Sequence, residues 1–88
     1  MPQIEWSEEK NQWLQQNRGI SFEEIQIAIV GGGLIDTVAH PNREQYPHQR
    51  MFIVLANEYI YQVPFVQDSE KIFLKTIIPN RKLVKKLL

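Results

Sequence analysis

The sequence contains no cysteine, so neither disulfide bonds nor thiolate metal sites can stabilise the fold. It also lacks net charge, because ten Lys and Arg residues balance ten Asp and Glu residues. A neutral chain is poorly suited to broad electrostatic binding of nucleic acid, although a local basic patch is possible. No apolar run approaches the ~20 residues of a membrane-spanning helix, and the first residues do not resemble a signal peptide. These absences predict a cytoplasmic protein.

The 88 residues predict one small domain, residues 1–88, with a thin core. Charge is distributed unevenly along the chain. Residues 69–88 contain six of the ten Lys and Arg residues and a single Glu, whereas residues 1–30 contain five Glu against one Lys and one Arg. The C-terminal segment is therefore the candidate basic patch, and the acidic half could meet a basic partner.

The N-terminal segment predicts a short edge strand over residues 1–6, followed by a helix. Ser7 is a suitable N-cap, and acidic residues in the first turn favour the helix dipole. Gly19 suits a left-handed C-cap. The first helix is therefore predicted over about residues 8–17.

A second helix is predicted after Ser21. Ser21 and Glu24 match a capping box, and the apolar residues that follow recur at helical spacing. The run Gly31-Gly32-Gly33 comes after this helix and before a strand, whereas a phosphate-binding loop precedes its helix. The glycines therefore indicate a helix stop and a turn.

The rest of the chain predicts a meander of antiparallel strands. Segments rich in β-branched and aromatic residues alternate with polar turns such as Asn57-Glu58. Pro64 indicates an edge, a bulge or early termination of pairing. The fold class is therefore α+β, with an antiparallel sheet of about four strands, two N-terminal helices on one face and a short C-terminal helix. The predicted segments are strands 34–39, 50–56, 59–66 and 71–78, a polar loop 40–49, and a helix 81–88 capped by Asn80.

Strict alternation along the predicted strand 71–78 divides its side chains between two faces. Lys71 and Phe73 are candidate RNA-binding residues, since bases stack on aromatic rings and ammonium groups pair with phosphates. The lysines could equally serve only to prevent edge pairing. The predicted core-facing set is Ile72, Leu74, Thr76 and Ile78, and the opposite set is Lys71, Phe73, Lys75 and Ile77.

Four segments of the chain form a recognisable set: Ile4-Glu5-Trp6, Gly19-Ile20-Ser21-Phe22-Glu23-Glu24, Gln49-Arg50-Met51-Phe52 and Ile77-Ile78-Pro79-Asn80-Arg81-Lys82. Together they resemble BrnT-type toxins of type II toxin–antitoxin systems, which belong to the RelE-like superfamily. The resemblance implies a compact RelE-like fold and a ribonuclease that stops translation without a cofactor. It also implies a complex with a cognate antitoxin that carries a ribbon-helix-helix DNA-binding domain.

Two positions depart from the family pattern. Gln49 stands where the family usually has Glu, immediately before the Arg that enters a strand. Thr76 stands where family members often have Arg, and the basic residue here, Lys75, lies one position earlier. A shift of one residue in a strand moves a side chain to the opposite face.

Metal-independent RNA cleavage uses the 2′-hydroxyl as nucleophile and needs groups that move protons and stabilise charge on the phosphate. The resemblance assigns phosphate stabilisation to Arg50 and Arg81, with assistance from Lys75. His40 or His48 would transfer protons, because histidine titrates near neutrality. Tyr46, in the same polar loop, is a candidate RNA contact. The spacing of the two histidines matches no metal site.

Each assignment has a structural alternative. A lone Arg is commonly solvated or salt-bridged, and a loop histidine commonly makes ordinary hydrogen bonds. The alternative function is a non-catalytic binding module of the same fold that acts through its protein partner, which the absence of the Glu at position 49 and the neutral net charge both favour.

Overall fold

A computed structural model describes residues 3–88, so Met1 and Pro2 of the predicted edge strand lie outside the described residues. Residues 3–88 form three α-helices and a mixed sheet of six strands. None of the helices in this range is long and apolar enough to cross a membrane. The elements are β1 Gln3–Trp6, α1 Glu8–Arg18, α2 Phe22–Ala28, a π-helical turn Ile29–Gly33, β2 Leu34–Ala39, β3 Arg50–Ala56, β4 Tyr59–Gln67, β5 Lys71–Leu74, β6 Ile78–Pro79 and α3 Arg81–Leu87.

The strand order is β1-β5-β4-β3-β2, and β6 also pairs with β4. The α+β class is confirmed, and β1 lies at one edge as predicted. The prediction of an all-antiparallel sheet of about four strands is wrong, because β1 pairs with β5 in parallel and the last predicted strand is broken into two. A four-residue strand separated from its partner by most of the chain carries no local signal of its pairing direction.

Both predicted N-terminal caps are confirmed. The Ser7 hydroxyl accepts from the Lys10 backbone N–H, and Gly19 ends α1 in the left-handed region at φ 65°. Ser21 and Glu24 form the reciprocal capping box at the start of α2. These caps satisfy N–H groups that have no partner within a helix, so the helix boundaries follow the local sequence.

The main core lies between one face of the sheet and helices α1 and α2. Phe52 of β3 and Phe65 of β4 stack with ring centroids 3.9 Å apart, and Leu14 and Ile25 from the two helices are fully buried against this face. Each such side chain contributes about 1.5–3 kcal/mol on burial. The predicted covering of one sheet face by the two helices is therefore confirmed.

The opposite face of the sheet is also partly covered. Met51, Ile53 and Ile60 alternate with the core residues of their strands and are at most 6% exposed. Helix α3 contacts β4, and its half-buried Leu83 and Val84 lie outside the main core. The C-terminal helix therefore packs on this second face, next to the short strand β6.

The predicted strand 71–78 is interrupted by a bulge. β5 pairs with β4 up to Leu74 opposite Phe65, and pairing resumes with Ile78 opposite Gln62. Three residues, 75–77, thus face two residues of β4, and one extra residue shifts the alternation. As a result Ile77 is fully buried and Ile78 is 36% exposed. The prediction that Ile78 faces the core and Ile77 faces outward is therefore wrong.

Candidate functional site

The polar loop 40–49 joins β2 to β3 and is closed by its own hydrogen bonds. The His40 backbone N–H donates to the Gln49 carbonyl at 3.2 Å, and the Tyr46 N–H donates to the Asn42 carbonyl at 2.9 Å. The Asn42 side chain also exchanges hydrogen bonds with Gln45. An Asn that bonds to residues just after it is a typical organiser of turns. The loop therefore holds the side chains of His40 and Tyr46 in a defined arrangement.

The imidazole of His40 is oriented by two contacts. The Asn42 backbone N–H donates to His40 Nδ1 at 3.1 Å, and the Tyr46 ring lies with its centroid 4.6 Å from that of His40. Because Nδ1 accepts this hydrogen bond, the neutral ring carries its proton on Nε2. In this state His40 presents a hydrogen-bond donor at Nε2.

Lys75 is positioned by the bulge that follows β5. Its backbone N–H donates to the Pro64 carbonyl at 2.7 Å, while Pro64 itself has no N–H to continue the ladder. The Lys75 ammonium lies 5.5 Å from the centroid of the Phe73 ring, a cation–π contact that places it on the same face. Of the three alternatives predicted for Pro64, the edge is wrong because β4 is a central strand, and the bulge occurs in the segment opposite Pro64.

The loop and the bulge meet at an open cleft of about 440 Å³. One ammonium group, an imidazole and a phenol border it, together with an amide and a hydroxyl. No carboxylate is found among the residues that line this cleft in the described part of the chain. Hydrogen-bond donors and one cation without a competing acid suit an anionic ligand such as a phosphate. The lining residues are His40, Tyr46, Gln49, Pro64, Lys75, Thr76 and Ile78.

Arg50 and Arg81 do not meet at this cleft. Arg50 opens β3 opposite Phe65, and its guanidinium lies 6.0 Å from the Phe65 ring, on the core side of the sheet. Arg81 follows Asn80, whose N–H donates to the Ile60 carbonyl near the other end of β4. Residues 60 and 65 of one strand are roughly 16 Å apart at the usual rise of a strand. Neither arginine lines the cleft, and the strand positions that they adjoin lie five residues apart along β4.

The other predicted residues are dispersed. His48 is exposed in the loop and does not line the cleft. Lys71 lies 3.7 Å from a Glu5 carboxylate oxygen in an exposed ion pair across β1 and β5. Phe73 does not line the cleft, but its ring contacts the Lys75 ammonium. Three of the eight candidates, His40, Tyr46 and Lys75, thus share one cleft.

Sequence reasoning missed the residues that position these three. Asn42 organises the loop, and its place after a proline in a polar segment was a turn signal. Thr76 was assigned to the core, but it lines the cleft beside Lys75 because the bulge breaks the alternation. Lys75 and Thr76, the two residues at the position where members of the resembled family often have Arg, therefore both line the cleft.

No protein-family model matches this chain, and neither a curated protein nor a solved structure is significantly similar to it. The candidate site is accordingly defined by its own geometry.

Proposed function

We propose that this chain is the toxin component of a cytoplasmic toxin–antitoxin pair, a metal-independent endoribonuclease that cleaves mRNA at the cleft of His40, Tyr46 and Lys75. The observation that carries the proposal is the convergence of these three residues, each a candidate from the sequence, on one site. The resemblance to BrnT-type toxins supports it, as do the two capped helices on one face of the sheet, which suit a RelE-like arrangement. The resemblance also supplies the proposed partner, an antitoxin with a ribbon-helix-helix domain.

On this proposal Lys75 binds the phosphate next to the scissile bond. Its ammonium group is exposed and has no carboxylate partner among the residues around the cleft. The hydroxyl of Thr76, which also lines the cleft, supplies a further donor to phosphate oxygens. Charge-assisted hydrogen bonds of this kind are about twice as strong as neutral ones, and they strengthen further as negative charge builds up in the transition state.

The cleavage step has a defined proton balance. The 2′-oxygen attacks the adjacent phosphorus, the bond from phosphorus to the 5′-oxygen breaks, and a 2′,3′-cyclic phosphate remains. We assign acceptance of the 2′-hydroxyl proton to His40 Nε2 and donation to the departing 5′-oxygen to the Tyr46 hydroxyl. Nε2 can accept a proton only when the ring proton sits on Nδ1. Substrate binding must therefore release the hydrogen bond from the Asn42 N–H to Nδ1.

A second function, binding without cleavage, is favoured by one observation. Gln49 lines the cleft at the position where the resembled family has Glu, so no carboxylate base is available there. A site with the same donors and no base would hold RNA or a protein carboxylate without chemistry. The two functions differ in whether the RNA backbone is broken.

Expression of the chain alone, with growth and bulk protein synthesis followed over time, tests the proposal. Wild type should arrest both, and a His40→Ala/Lys75→Met double variant should arrest neither. Arg50→Ala/Arg81→Ala is the matched control, since it also removes two predicted site residues but lies away from the cleft. Loss of arrest in the arginine variant alone would place the site elsewhere, and no arrest by wild type would rule out the toxin function.

A further inference from the structure

The free edge of β2, at the end of the sheet away from β1, is a second candidate binding surface that does not depend on the proposed cleft. Within residues 3–88, β2 pairs only with β3 and its other edge is open. We propose that this edge and the adjoining groove bind an extended segment of a partner protein that is cationic and apolar, and that the segment adds a strand to the sheet.

The first observation is a concentration of exposed apolar side chains at the start of β2. Ile27 and Val30 are 72% and 73% exposed, and Leu34 and Ile35 are 39% and 46% exposed. These four lie within nine consecutive residues and account for half of the large hydrophobic residues exposed in the described chain. Exposed apolar residues that are scattered singly need no explanation, but several exposed within one short segment indicate a candidate interaction site.

The second observation is a groove beside these residues. It has a volume of about 570 Å³ and lies between the end of α2, the three glycines and the end of β3. At one side of the groove the backbone of Gly33 lies close to that of Leu55. Only glycine allows this approach, because a Cβ atom at this position would collide with the carbonyl oxygen of Leu55. Ile27 lines the groove, and Gly33 joins it to the first residue of β2, so the groove adjoins the start of this strand.

The third observation is that β2 has little protection against strand addition. Natural edge strands are commonly guarded by Lys, Pro or dense charge. β2 contains neither Lys nor Pro, and Asp36 is its one charged residue. The register shift that leaves Ile35 without a partner occurs at the start of the strand, and residues 36–39 then pair regularly with β3. A regular, weakly charged edge remains open to a partner strand.

Charge identifies the occupant. Residues 19–39 contain Glu23, Glu24 and Asp36 and no Lys, Arg or His, and the nearby β3–β4 turn adds Glu58. Of these acids, Glu24 lines the groove and Asp36 lies in β2, while Glu23 accepts a hydrogen bond from Asn11 of α1. The net negative charge of this region favours a cationic partner. A two-fold contact between copies of this chain would bring the same acidic surface against itself, so a second copy is disfavoured.

Titration of the 15N-labelled protein with a synthetic seven-residue peptide of alternating Lys and Val tests the proposal. We expect saturable shifts of the β2 amides and slower hydrogen exchange at those amides. A matched peptide of alternating Glu and Val should leave them unchanged. The Ile27→Lys/Val30→Lys variant should bind the Lys–Val peptide with a dissociation constant at least about tenfold higher than that of wild type. Apolar contact is lost, and the new lysines repel the cationic peptide.

The Leu87→Lys/Leu88→Lys variant is the control, since it adds the same charge at two exposed apolar residues of the C-terminal segment. It should bind the Lys–Val peptide as wild type does. Three results would overturn the proposal: no saturable shift at β2, equal binding of the Glu–Val peptide, or an unchanged dissociation constant in Ile27→Lys/Val30→Lys. Self-association of the protein that this double variant abolishes in sedimentation would overturn it as well, because a second copy would then be the occupant.

Discussion

The backbone N–H of Lys75 donates a hydrogen bond to the carbonyl oxygen of Pro64 at 2.7 Å, just where β5 leaves its ladder with β4. Proline cannot donate in return, so residues 75–77 bulge and turn Lys75 and Thr76 toward the loop that carries His40 and Tyr46. The candidate cleft is therefore built at an interruption of the sheet. Bulges often occur next to active sites, where they redirect a side chain.

Replacing Asn11 tests the link between α1 and α2. Its buried side chain accepts from the Phe22 N–H at 2.8 Å and donates to Glu23 at 2.6 Å. Asn11→Ala leaves the buried Phe22 N–H without this acceptor, and we expect the free energy of unfolding to fall by about 1–3 kcal/mol in urea denaturation. Asn17→Ala, which removes an exposed hydrogen bond of the same helix, should change it by less than about 0.5 kcal/mol. Equal losses in the two variants would contradict the assigned role of Asn11.

The β3–β4 hairpin offers a stabilising substitution. Asn57 and Glu58 have φ angles of 54° and 61°, the left-handed conformation that a two-residue type I′ turn requires. Glycine adopts this conformation without steric cost, so Glu58→Gly should raise the free energy of unfolding by about 0.5–1 kcal/mol. Glu70→Gly makes the same chemical change in a turn with negative φ, and thermal melting should show a lower midpoint for it. A lower midpoint for Glu58→Gly too would argue against strain at this turn.

Glu24 should make stability depend on pH in the acid range. Burial acts to raise the pKa of Glu24, but hydrogen bonds from Asn57 and from the backbone and hydroxyl of Ser21 outweigh it, and the net pKa lies below the ordinary value of 4.5. A pKa lower in the folded state adds stability above the unfolded pKa, and this stability is lost as pH falls through the folded pKa. The free energy of unfolding of wild type, measured in urea, should therefore fall from about pH 5 downward.

In Glu24→Gln part of this acid-range dependence should disappear. The remainder is assigned to other carboxylates such as Asp68, whose pKa is lowered by the backbone N–H groups of Glu70 and Lys71 that donate to it. Asp68→Asn is the matched comparison, and each single variant should flatten the pH curve less than the double variant does. A curve for Glu24→Gln that superimposes on wild type from pH 7 to about pH 3 would show that Glu24 makes no such contribution.

The helix caps, the glycine turn and most strand boundaries could be predicted because each is encoded by neighbouring residues. Ser21 and Glu24 lie three apart, and their capping box depends on nothing distant. The parallel pairing of β1 with β5 could not be predicted, since it joins Gln3 to Lys71 across the chain. Local chemistry specifies elements, whereas pairing direction depends on the whole fold.

The candidate site was predicted only in part. His40, Tyr46 and Lys75 have the right chemistry, but their meeting depends on the loop hydrogen bonds of Asn42 and on the bulge opposite Pro64. Strict alternation grouped Lys71 with Lys75, yet Lys71 pairs with Glu5 while Lys75 borders the cleft. One extra residue in a strand was enough to move Ile77, Ile78 and Thr76 from their predicted faces.

The central claim is that the cleft beside Lys75 cleaves RNA. The most direct measurement is the single-turnover cleavage rate of a mixed-sequence single-stranded RNA in the presence of EDTA, with the 2′,3′-cyclic phosphate product identified by mass spectrometry. Wild type should cleave, and Lys75→Met should be slower by about a hundredfold or more, the usual cost of removing one group that stabilises transition-state charge. Lys71→Met, which removes the neighbouring lysine of the Glu5 ion pair, should stay within about threefold of wild type. Equal rates for Lys75→Met and wild type, or an equal loss in Lys71→Met, would contradict the claim.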